Sequence, residues 1–281
     1  MSKNNSNQFM CGKYQLDLAH PHVMGIVNVT PDSFSDGGRY ASTEKAVAHA
    51  VQLVADGAHI LDIGGESTRP NATPVGLEEE LERVIPVIER LAREVDVPLS
   101  IDTYKPQVMS AAVKAGAAII NDIRGLQEPG AVEVAAEGDA GICIMHMQGT
   151  PQTMQQNPVY EDVVQEVATF LSERLQACMA AGIKAERIVL DPGFGFGKRT
   201  VHNLALLNGL PDILALGRPL LVGLSRKSVL GQIVGSDVDQ RLHASLAASV
   251  ISVMKGGRIV RVHDVKATVD ALKVVDAVIH A

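Results

Sequence analysis

Residues 98–122 read PLSIDTYKPQVMSAAVKAGAAIIND and contain one complete strand–helix–strand unit. The short apolar runs at 98–102 and 118–122 predict parallel strands that are buried on both faces. Between them, residues 105–115 place apolar side chains at helical spacing, and Gly116 stands where a helix C-cap is expected. The stretch therefore predicts two parallel strands joined by a helical crossover.

The same alternation of short apolar runs and helical patterns extends along the chain. Further strands are predicted at residues 23–29, 59–63, 142–146, 188–191, 220–224 and 258–262. Further helices are predicted at residues 43–56, 78–94, 161–181, 240–255 and 265–278, with Gly57 and Gly182 as additional C-caps. Eight strands alternating with helices predict an α/β fold, a (β/α)8 TIM barrel of eight parallel strands with surrounding helices. From periodicity alone, a doubly wound open sheet is the alternative.

Length and composition suit one large domain. The chain has 281 residues, of which 46% are hydrophobic, and a formal net charge of -7. We expect a polar N-terminal tail at residues 1–15 and a single barrel domain at residues 16–281. The N-terminal nine residues lack the apolar stretch of a signal peptide, and no apolar run approaches the roughly 18 residues of a membrane span. A cytoplasmic location and no membrane partner are therefore expected.

Other classes of function are disfavoured by charge and cysteine usage. Phosphate backbones demand clustered Lys and Arg, so the acidic net charge argues against nucleic acid as a partner. The three cysteines, Cys11, Cys143 and Cys178, lack close metal-ligand spacing and are expected to be buried, reduced thiols. The run GFGFGK at residues 193–198 lacks the Lys-Ser/Thr ending of a nucleotide-binding loop.

Polar residues of unusual kind stand at the C-terminal end of nearly every predicted strand. They are Asn28, Asp62, Asp102, Asn121 with Asp122, His146, Asp191, Ser225 to Lys227, and Arg261 with His263. A single strand-end Asp is usually a helix N-cap, but capping alone does not explain a full circuit of carboxylates, amides and cations. A closed barrel would bring these ends together on the rim where such enzymes carry their chemistry.

Polar loops extend this rim. NVTPDSFSDGG at residues 28–38 can fold over a ligand and offer oxygens to a hard cation, while GGESTRP at 64–70 can grip an anion through Thr68 and Arg69. Each could also be an ordinary surface loop or turn. SRKS at 225–228 follows the seventh strand, and Arg261 and His263 lie at the end of the eighth, where TIM barrels commonly bind phosphate.

Five segments carry a resemblance to a known family. They are NVTPDSFSDGG at 28–38, GGESTRP at 64–70, DPGFGFGK at 191–198, SRKS at 225–228 and RVHDV at 261–265. Together they closely resemble the dihydropteroate synthase family, the folate-pathway transferases that sulfonamides block, from about His22 to the C-terminus. Pterin-dependent methyltransferase domains share the barrel and part of the carboxylate set, and a catalytically silent barrel subunit is a further alternative.

The resemblance implies a set of site residues. The implied catalytic residues are Asp102, Lys227, Arg261 and His263. The implied pterin site consists of Asp102, Asn121, Ile123, Met145, Asp191, Lys227 and Arg261. The implied diphosphate site consists of Asn28, Thr68, Arg69, Arg261 and His263. The implied p-aminobenzoate site consists of Phe34, Thr68, Pro70, Phe196, Lys227 and Ser228.

The resemblance also implies a reaction, a metal and an assembly. The family joins (7,8-dihydropterin-6-yl)methyl diphosphate to p-aminobenzoate, with Mg2+ held by Asn28, and it implies a homodimer, with residues 240–255 as one candidate interface helix. Early departure of diphosphate would leave a delocalised pterin cation, which Asp102 would stabilise. An aromatic amine is already neutral at physiological pH, which agrees with the lack of an evident Ser–His or Cys–His pair.

Overall fold

The computed structural model describes residues 7–30, 38–67 and 72–281. The strands within these ranges are β1 (Gln8–Cys11), β2 (Tyr14–Asp17), β3 (His22–Asn28), β4 (Ile60–Gly64), β5 (Leu99–Asp102), β6 (Ile119–Asp122), β7 (Gly141–Met145), β8 (Ile188–Asp191), β9 (Leu220–Val222) and β10 (Gly257–Val262). The α-helices are α1 (Gly38–Ala55), α2 (Leu77–Glu94), α3 (Pro106–Ala115), α4 (Ala131–Glu137), α5 (Val163–Ala180), α6 (Thr200–Asn208), α7 (Leu210–Leu214), α8 (Ser228–Val234), α9 (Leu242–Met254) and α10 (Val265–Ile279).

Strands β3 to β10 close into a parallel barrel. The hydrogen-bonded order is β10-β3-β4-β5-β6-β7-β8-β9, and β10 also pairs with β9. Closure is made where Val260 pairs with Val23 and Arg261 pairs with Met24. The predicted (β/α)8 barrel is therefore confirmed, and the open-sheet alternative is wrong.

Two separate apolar clusters hold the barrel. The larger cluster lies between strands and helices and includes Ile63, Ile101 and Ile120, which are almost fully buried. The smaller cluster includes Met24 and Ile119. Because successive side chains of a strand point to opposite faces, one face of each strand supplies the helix contacts and the other fills the lumen. The smaller cluster forms an apolar floor beneath the polar strand ends.

An N-terminal hairpin covers this floor. β1 and β2 pair antiparallel, with Phe9 opposite Leu16, and the side chains of Phe9 and Cys11 are buried in the smaller cluster. The predicted polar tail at residues 1–15 therefore differs from the structure over residues 7–15, and its boundary falls inside β2. The apolar residues of the hairpin are too few to make a strand pattern. Phe9 and Cys11 lie against distant Gly141, where an added Cβ would be 2.5 Å from the Phe9 ring.

The predicted helices agree with the structure to within a few residues at most ends. Gly116 is the C-cap of α3 with φ of 119°, a left-handed conformation that glycine adopts without steric cost. Helices α4, α6, α7 and α8 were not predicted because they have nine residues or fewer, too short for a clear 3.6-residue period. Among the described residues, no helix is both long and apolar enough to cross a membrane.

A buried ion-pair cluster anchors the loop that follows β4. The Lys105 ammonium donates to Glu66 at 2.5 Å and also to Glu80, whose side chain is 1% exposed. Tyr104 donates its hydroxyl proton to Glu66 at 3.3 Å. Glu66 lies two residues before Thr68, which with Arg69 is a predicted anion-binding residue outside the described residues.

Replacing Lys105 by Met should destabilise the protein by about 3–5 kcal/mol, because it leaves two buried carboxylates without their cation. The free energy of unfolding from urea titration measures this loss. Lys266→Met is the matched control: it breaks an exposed ion pair with Asp270 and should cost less than about 1 kcal/mol. Equal losses in the two variants would show that the Lys105 cluster contributes nothing beyond a surface pair.

Candidate active site

Neighbouring strand ends place polar residues at one level of the barrel. Asn28 pairs with Gly64, Gly64 pairs with Asp102, and Asp102 pairs with Asn121. Paired residues of parallel strands point to the same face of the sheet, so these residues share one side of the barrel wall. Asp122 follows Asn121 and points to the other side, where its carboxylate accepts from the backbone N–H groups of the next turn.

Arg261 is the centre of the polar network. Its Nε donates to Asp62 Oδ2 at 2.6 Å, and its Nη2 donates to Asp102 Oδ2 at 2.7 Å. Asn121 adds a bond from Nδ2 to the same Asp62 oxygen at 3.2 Å. The other two carboxylate oxygens, Asp62 Oδ1 and Asp102 Oδ1, are buried and have no hydrogen-bond partner among the described residues. Buried acceptors without partners are costly, so these oxygens suit a ligand that presents N–H donors.

Two carboxyl groups of the site, those of Asp102 and Asp191, have raised pKa values because they are buried. Burial raises the pKa of Asp102 to about 7, although the Arg261 guanidinium opposes this rise. Burial also raises the pKa of Asp191, which the Lys227 ammonium and the Gly193 N–H oppose. The pKa of the Cys143 thiol is raised well above its ordinary value by burial and nearby carboxylates. Cys143 is therefore unsuited to covalent catalysis.

Lys227 lies near the carboxylate of Asp191. Its ammonium donates to the backbone oxygen of Phe194 and sits 4.6 Å from the centre of the Phe196 ring. A methyl group placed on Gly223 would lie 3.9 Å from Lys227 Nζ and 3.8 Å from Arg261 Cβ, so the two cations border the same small residue. Burial lowers the pKa of Lys227 to about 8, which the Asp191 carboxylate opposes.

Hydrogen bonds with the buried side chains of Asp191 and Lys198 hold the loop after β8. Asp191 Oδ1 accepts from Gly193 N at 2.7 Å, and Gly193 has φ of 70° and lies so near His146 that a Cβ would fall 1.8 Å from its carbonyl oxygen. Lys198 is 3% exposed and contacts His146 Nδ1 and the Gly193 oxygen, each at 2.9 Å. Its bonds are internal, so Lys198 supports the loop that carries Phe194 and Phe196.

His263 follows the end of β10, the strand that pairs with β9. Its backbone N–H donates to Ser225 Oγ at 3.2 Å, and its Nδ1 lies 3.1 Å from the same oxygen. Arg226 is engaged with Asp264 through bonds of 2.6 and 3.0 Å. Arg226 is therefore paired with Asp264, whereas Arg261 is paired with Asp62 and Asp102.

The structure brings together several of the predicted site residues and leaves others outside its description. Contacts and charge interactions link Asp102, Asn121, Asp191, Lys227 and Arg261. The remaining described residues occupy neighbouring strand ends and loops: Asn28, Ile123, Met145, Phe196, Ser228 and His263. Phe34, Thr68, Arg69 and Pro70 lie outside the described residues.

Sequence reasoning left two residues out of the site. Asp62 was recognised only as a strand-end residue, yet it is fully buried and binds Arg261. Its signal was present, since Asp62 and Asp102 stand at the ends of two consecutive predicted strands. Lys198 has no comparable signal, because a lysine after a glycine-rich stretch is ordinarily exposed.

The chain is similar to pterin-binding proteins over most of its length. A family model described as pterin binding enzyme matches residues 24–263. The dihydropteroate synthase of Escherichia coli (strain K12) is 54% identical over 266 residues, covering 95% of this chain and 94% of that relative.

Solved structures give the same relationship. Xanthomonas albilineans dihydropteroate synthase with 4-aminobenzoic acid has a TM-score of 0.93 and 52% identity, covering 98% of this chain and 99% of that one. The same organism's enzyme in complex with 7,8-dihydropteroate has a TM-score of 0.88 and 46% identity, covering 98% and 100%. The chain therefore belongs to the dihydropteroate synthase family of pterin binding enzymes.

Proposed function

We propose that this protein condenses (7,8-dihydropterin-6-yl)methyl diphosphate with p-aminobenzoate to give 7,8-dihydropteroate and diphosphate. The observation that carries the proposal is the Asp62–Arg261–Asp102 network, whose two free buried oxygens face no protein donor among the described residues. The family membership supplies the substrate class.

The pterin would lie against the acidic part of the lumen. Its pyrimidine edge presents several N–H donors, which suit the oxygens of Asn121 and Asp191. Lys227 would donate to the pterin carbonyl oxygen, and the guanidinium of Arg261 would stack on the ring. Ile123 and Met145 are buried at adjacent strand ends, where they can contribute apolar contacts to the flat heterocycle.

The chemical step needs two opposite charge environments. The bond between the pterin methylene carbon and the diphosphate oxygen breaks, and its electrons leave with the diphosphate. The amine nitrogen then bonds to that carbon and releases a proton to solvent. Asp102 would stabilise the positive charge that develops on the pterin, while Arg261 and His263 would stabilise the departing diphosphate. No strong base is required, since the attacking arylamine is neutral.

A divalent cation would assist the leaving group. We propose that Asn28, at the end of β3, supplies an amide oxygen to Mg2+. One neutral oxygen is a poor cage by itself, but Mg2+ commonly keeps several waters and binds through few protein atoms plus substrate phosphates. This donor set thus fits a cation that is bound together with the diphosphate. When bound, Mg2+ would neutralise part of the diphosphate charge; Thr68 and Arg69 are proposed as further diphosphate ligands.

The p-aminobenzoate would bind beside the loop after β8. We propose Phe196, Lys227 and Ser228 as its described contacts, with the Ser228 hydroxyl near the carboxylate. Lys227 and Phe196 are already in contact. Phe34, Thr68 and Pro70 complete the proposed set. Closure of the loops after β3 and β4 would exclude water, which otherwise captures the cation.

Family membership also supports a homodimer and a cytoplasmic location, which we propose together. The late helices offer apolar surface for such an assembly: Ile251 and Met254 on α9, and Val274 and Val278 on α10, are 40% or more exposed. These two helices pack against each other. Their exposed apolar side chains are the candidate interface between protomers.

The purified protein should release diphosphate only when both substrates are present. Asp102→Asn should lower kcat by on the order of 10²–10³, because the carboxylate that faces the developing cation is lost. Turnover is followed by coupled diphosphate detection. Asp270→Asn, at an exposed ion pair, should leave turnover unchanged.

Two outcomes would contradict this proposal. Diphosphate release without p-aminobenzoate would indicate hydrolysis, and no release with both substrates would favour the methyltransferase or silent-barrel alternatives. Asp102→Asn turnover within threefold of wild type would remove Asp102 from the mechanism. Both variants should show cooperative unfolding, which separates lost chemistry from lost folding.

The activity should depend on pH through Lys227 and Asp102. Because Lys227 has a pKa of about 8, its ammonium donor is present below this pH and is lost above it. The value of kcat/KM for the pterin diphosphate should then fall about tenfold per pH unit on the basic limb. The Asp102 carboxylate, with a pKa of about 7, forms as the pH rises and gives the acidic limb.

Lys227→Arg tests the assignment of the basic limb. Arginine remains protonated throughout this range, so the basic limb should flatten while the acidic limb stays near pH 7. Initial rates from roughly pH 6 to 10 give both profiles. An unchanged basic limb in Lys227→Arg would assign that titration to another group.

Asn28→Ala should raise the Mg2+ concentration needed for half-maximal diphosphate binding by about tenfold, since one direct ligand is lost. Calorimetric titration of diphosphate at increasing Mg2+ measures this directly. Asn208→Ala, at the exposed end of α6, is the matched control and should behave as wild type. The same Mg2+ dependence in wild type and Asn28→Ala would exclude Asn28 as a ligand.

A further inference from the structure

Three metal-ligating side chains meet at the barrel end remote from the catalytic rim. His20 lies just before β3, and Asp276 and His280 lie in and after the last turn of α10. Strands of the barrel begin at this end, and the following helices return to it. The three residues therefore have no part in the site at the C-terminal strand ends.

The three side chains already lie close to one another. His20 Nδ1 lies 2.9 Å from both carboxylate oxygens of Asp276, and His280 Nδ1 lies 3.2 Å from Asp276 Oδ1. One ligand atom from each residue lies within 4.8 Å of those of the other two. The two imidazole rings are 4.7 Å apart between centroids.

These spacings resemble those of ligands that share one metal ion. With metal–ligand bonds of about 2.0–2.1 Å, neighbouring ligand atoms of a tetrahedral or octahedral ion lie roughly 3.0–3.4 Å apart. The two ligand contacts to Asp276 are close to this range. A coordinated ion would replace the hydrogen bonds that His20 Nδ1 and His280 Nδ1 now make to Asp276, including that of His280 to the Asp276 backbone oxygen at 2.9 Å.

The backbone also holds the first ligand in place. His22 Nδ1 is 3.0 Å from the carbonyl oxygen of His20, and the backbone N–H of Ala19 donates to Asp17 Oδ1 at 3.0 Å. Asp276 and His280 are four residues apart, which places them on one face of a helix. All three side chains are partly exposed, so an ion can enter from solvent.

We propose that His20, Asp276 and His280 form a binding site for a first-row divalent transition metal, with zinc as the representative ion. Two imidazoles and one carboxylate suit Zn2+, Co2+ or Ni2+, whereas Mg2+ prefers oxygen ligands. Water completes the coordination. The ion cross-links the segment that leads into the first barrel strand with the last helix, positions 256 residues apart in the chain.

Zinc and cobalt titrations of the full-length protein test this site. After treatment with EDTA and desalting, and with excess Mg2+ present throughout, the wild type should bind one equivalent of Zn2+ by calorimetry. Co2+ should give visible d–d absorption that Zn2+ abolishes. The unfolding midpoint should rise by about 5 °C at a hundredfold excess of Zn2+ over its Kd.

Three variants and a histidine control decide the outcome. His20→Ala, Asp276→Asn and His280→Ala should each weaken Zn2+ binding at least tenfold and remove the zinc-induced rise in midpoint. His49→Ala, at an exposed position on α1, should leave both unchanged. Midpoints in EDTA verify that each variant folds, so the readout is the change that zinc produces.

Two results would overturn the proposal. One is a wild type that binds no Zn2+ in excess Mg2+. The other is binding whose affinity and stoichiometry are the same in the three variants as in the wild type, because the ion would then be held elsewhere.

Discussion

The guanidinium of Arg261 holds two buried carboxylates in the barrel lumen, and the arrangement of the catalytic rim depends on this contact. Asp62, Asp102 and Arg261 come from strands β4, β5 and β10, so the network spans the barrel closure between β10 and β3. Buried charges are tolerated only when paired and hydrogen-bonded. Each carboxylate is satisfied through one oxygen, and the other oxygen remains for a ligand.

The apolar floor strengthens this network. Beneath the charged layer the lumen is filled by aliphatic side chains and closed by the N-terminal hairpin, through Phe9 and Cys11. Charges that are shielded from water interact more strongly, and their pKa values depart further from those of free side chains. The raised pKa of Asp102 and the lowered pKa of Lys227 are two results of the same burial. Acidic and basic groups are therefore both close to their ionisation points near neutral pH.

The two ends of the barrel differ in how they are exposed. At the C-terminal strand ends, the ionisable groups are buried, and Asp62 Oδ1 and Asp102 Oδ1 are the carboxylate oxygens of the network without a hydrogen-bond partner among the described residues. At the other end, His20, Asp276 and His280 are partly exposed and bonded mainly to one another. The buried groups at the C-terminal strand ends favour a desolvated substrate. The partly exposed groups at the other end favour an ion that arrives from solvent. A division of this sort lets stability and chemistry occupy separate regions of a TIM barrel.

Local patterns in the sequence determined the alternation of eight strands with helices, the longer helices and the strand-end positions of Asp102, Asn121, Asp191 and Arg261. Apolar spacing and residue type are properties of short segments, so they can be read without knowing the fold. The family resemblance rested on such segments as well. Phe34, Thr68, Arg69 and Pro70 remain predictions from that resemblance.

Only the tertiary structure decided which strand-end residues meet. Asp62 and Arg261 are 199 residues apart, and no local pattern indicates that they form an ion pair. Strand register likewise decided that Asn121 shares the level of Asp102 while Asp122 points away. Phe9, Cys11 and Lys198 are buried because distant segments cover them. Closure of the barrel creates these contacts, and closure is a property of the whole chain that its separate segments do not encode.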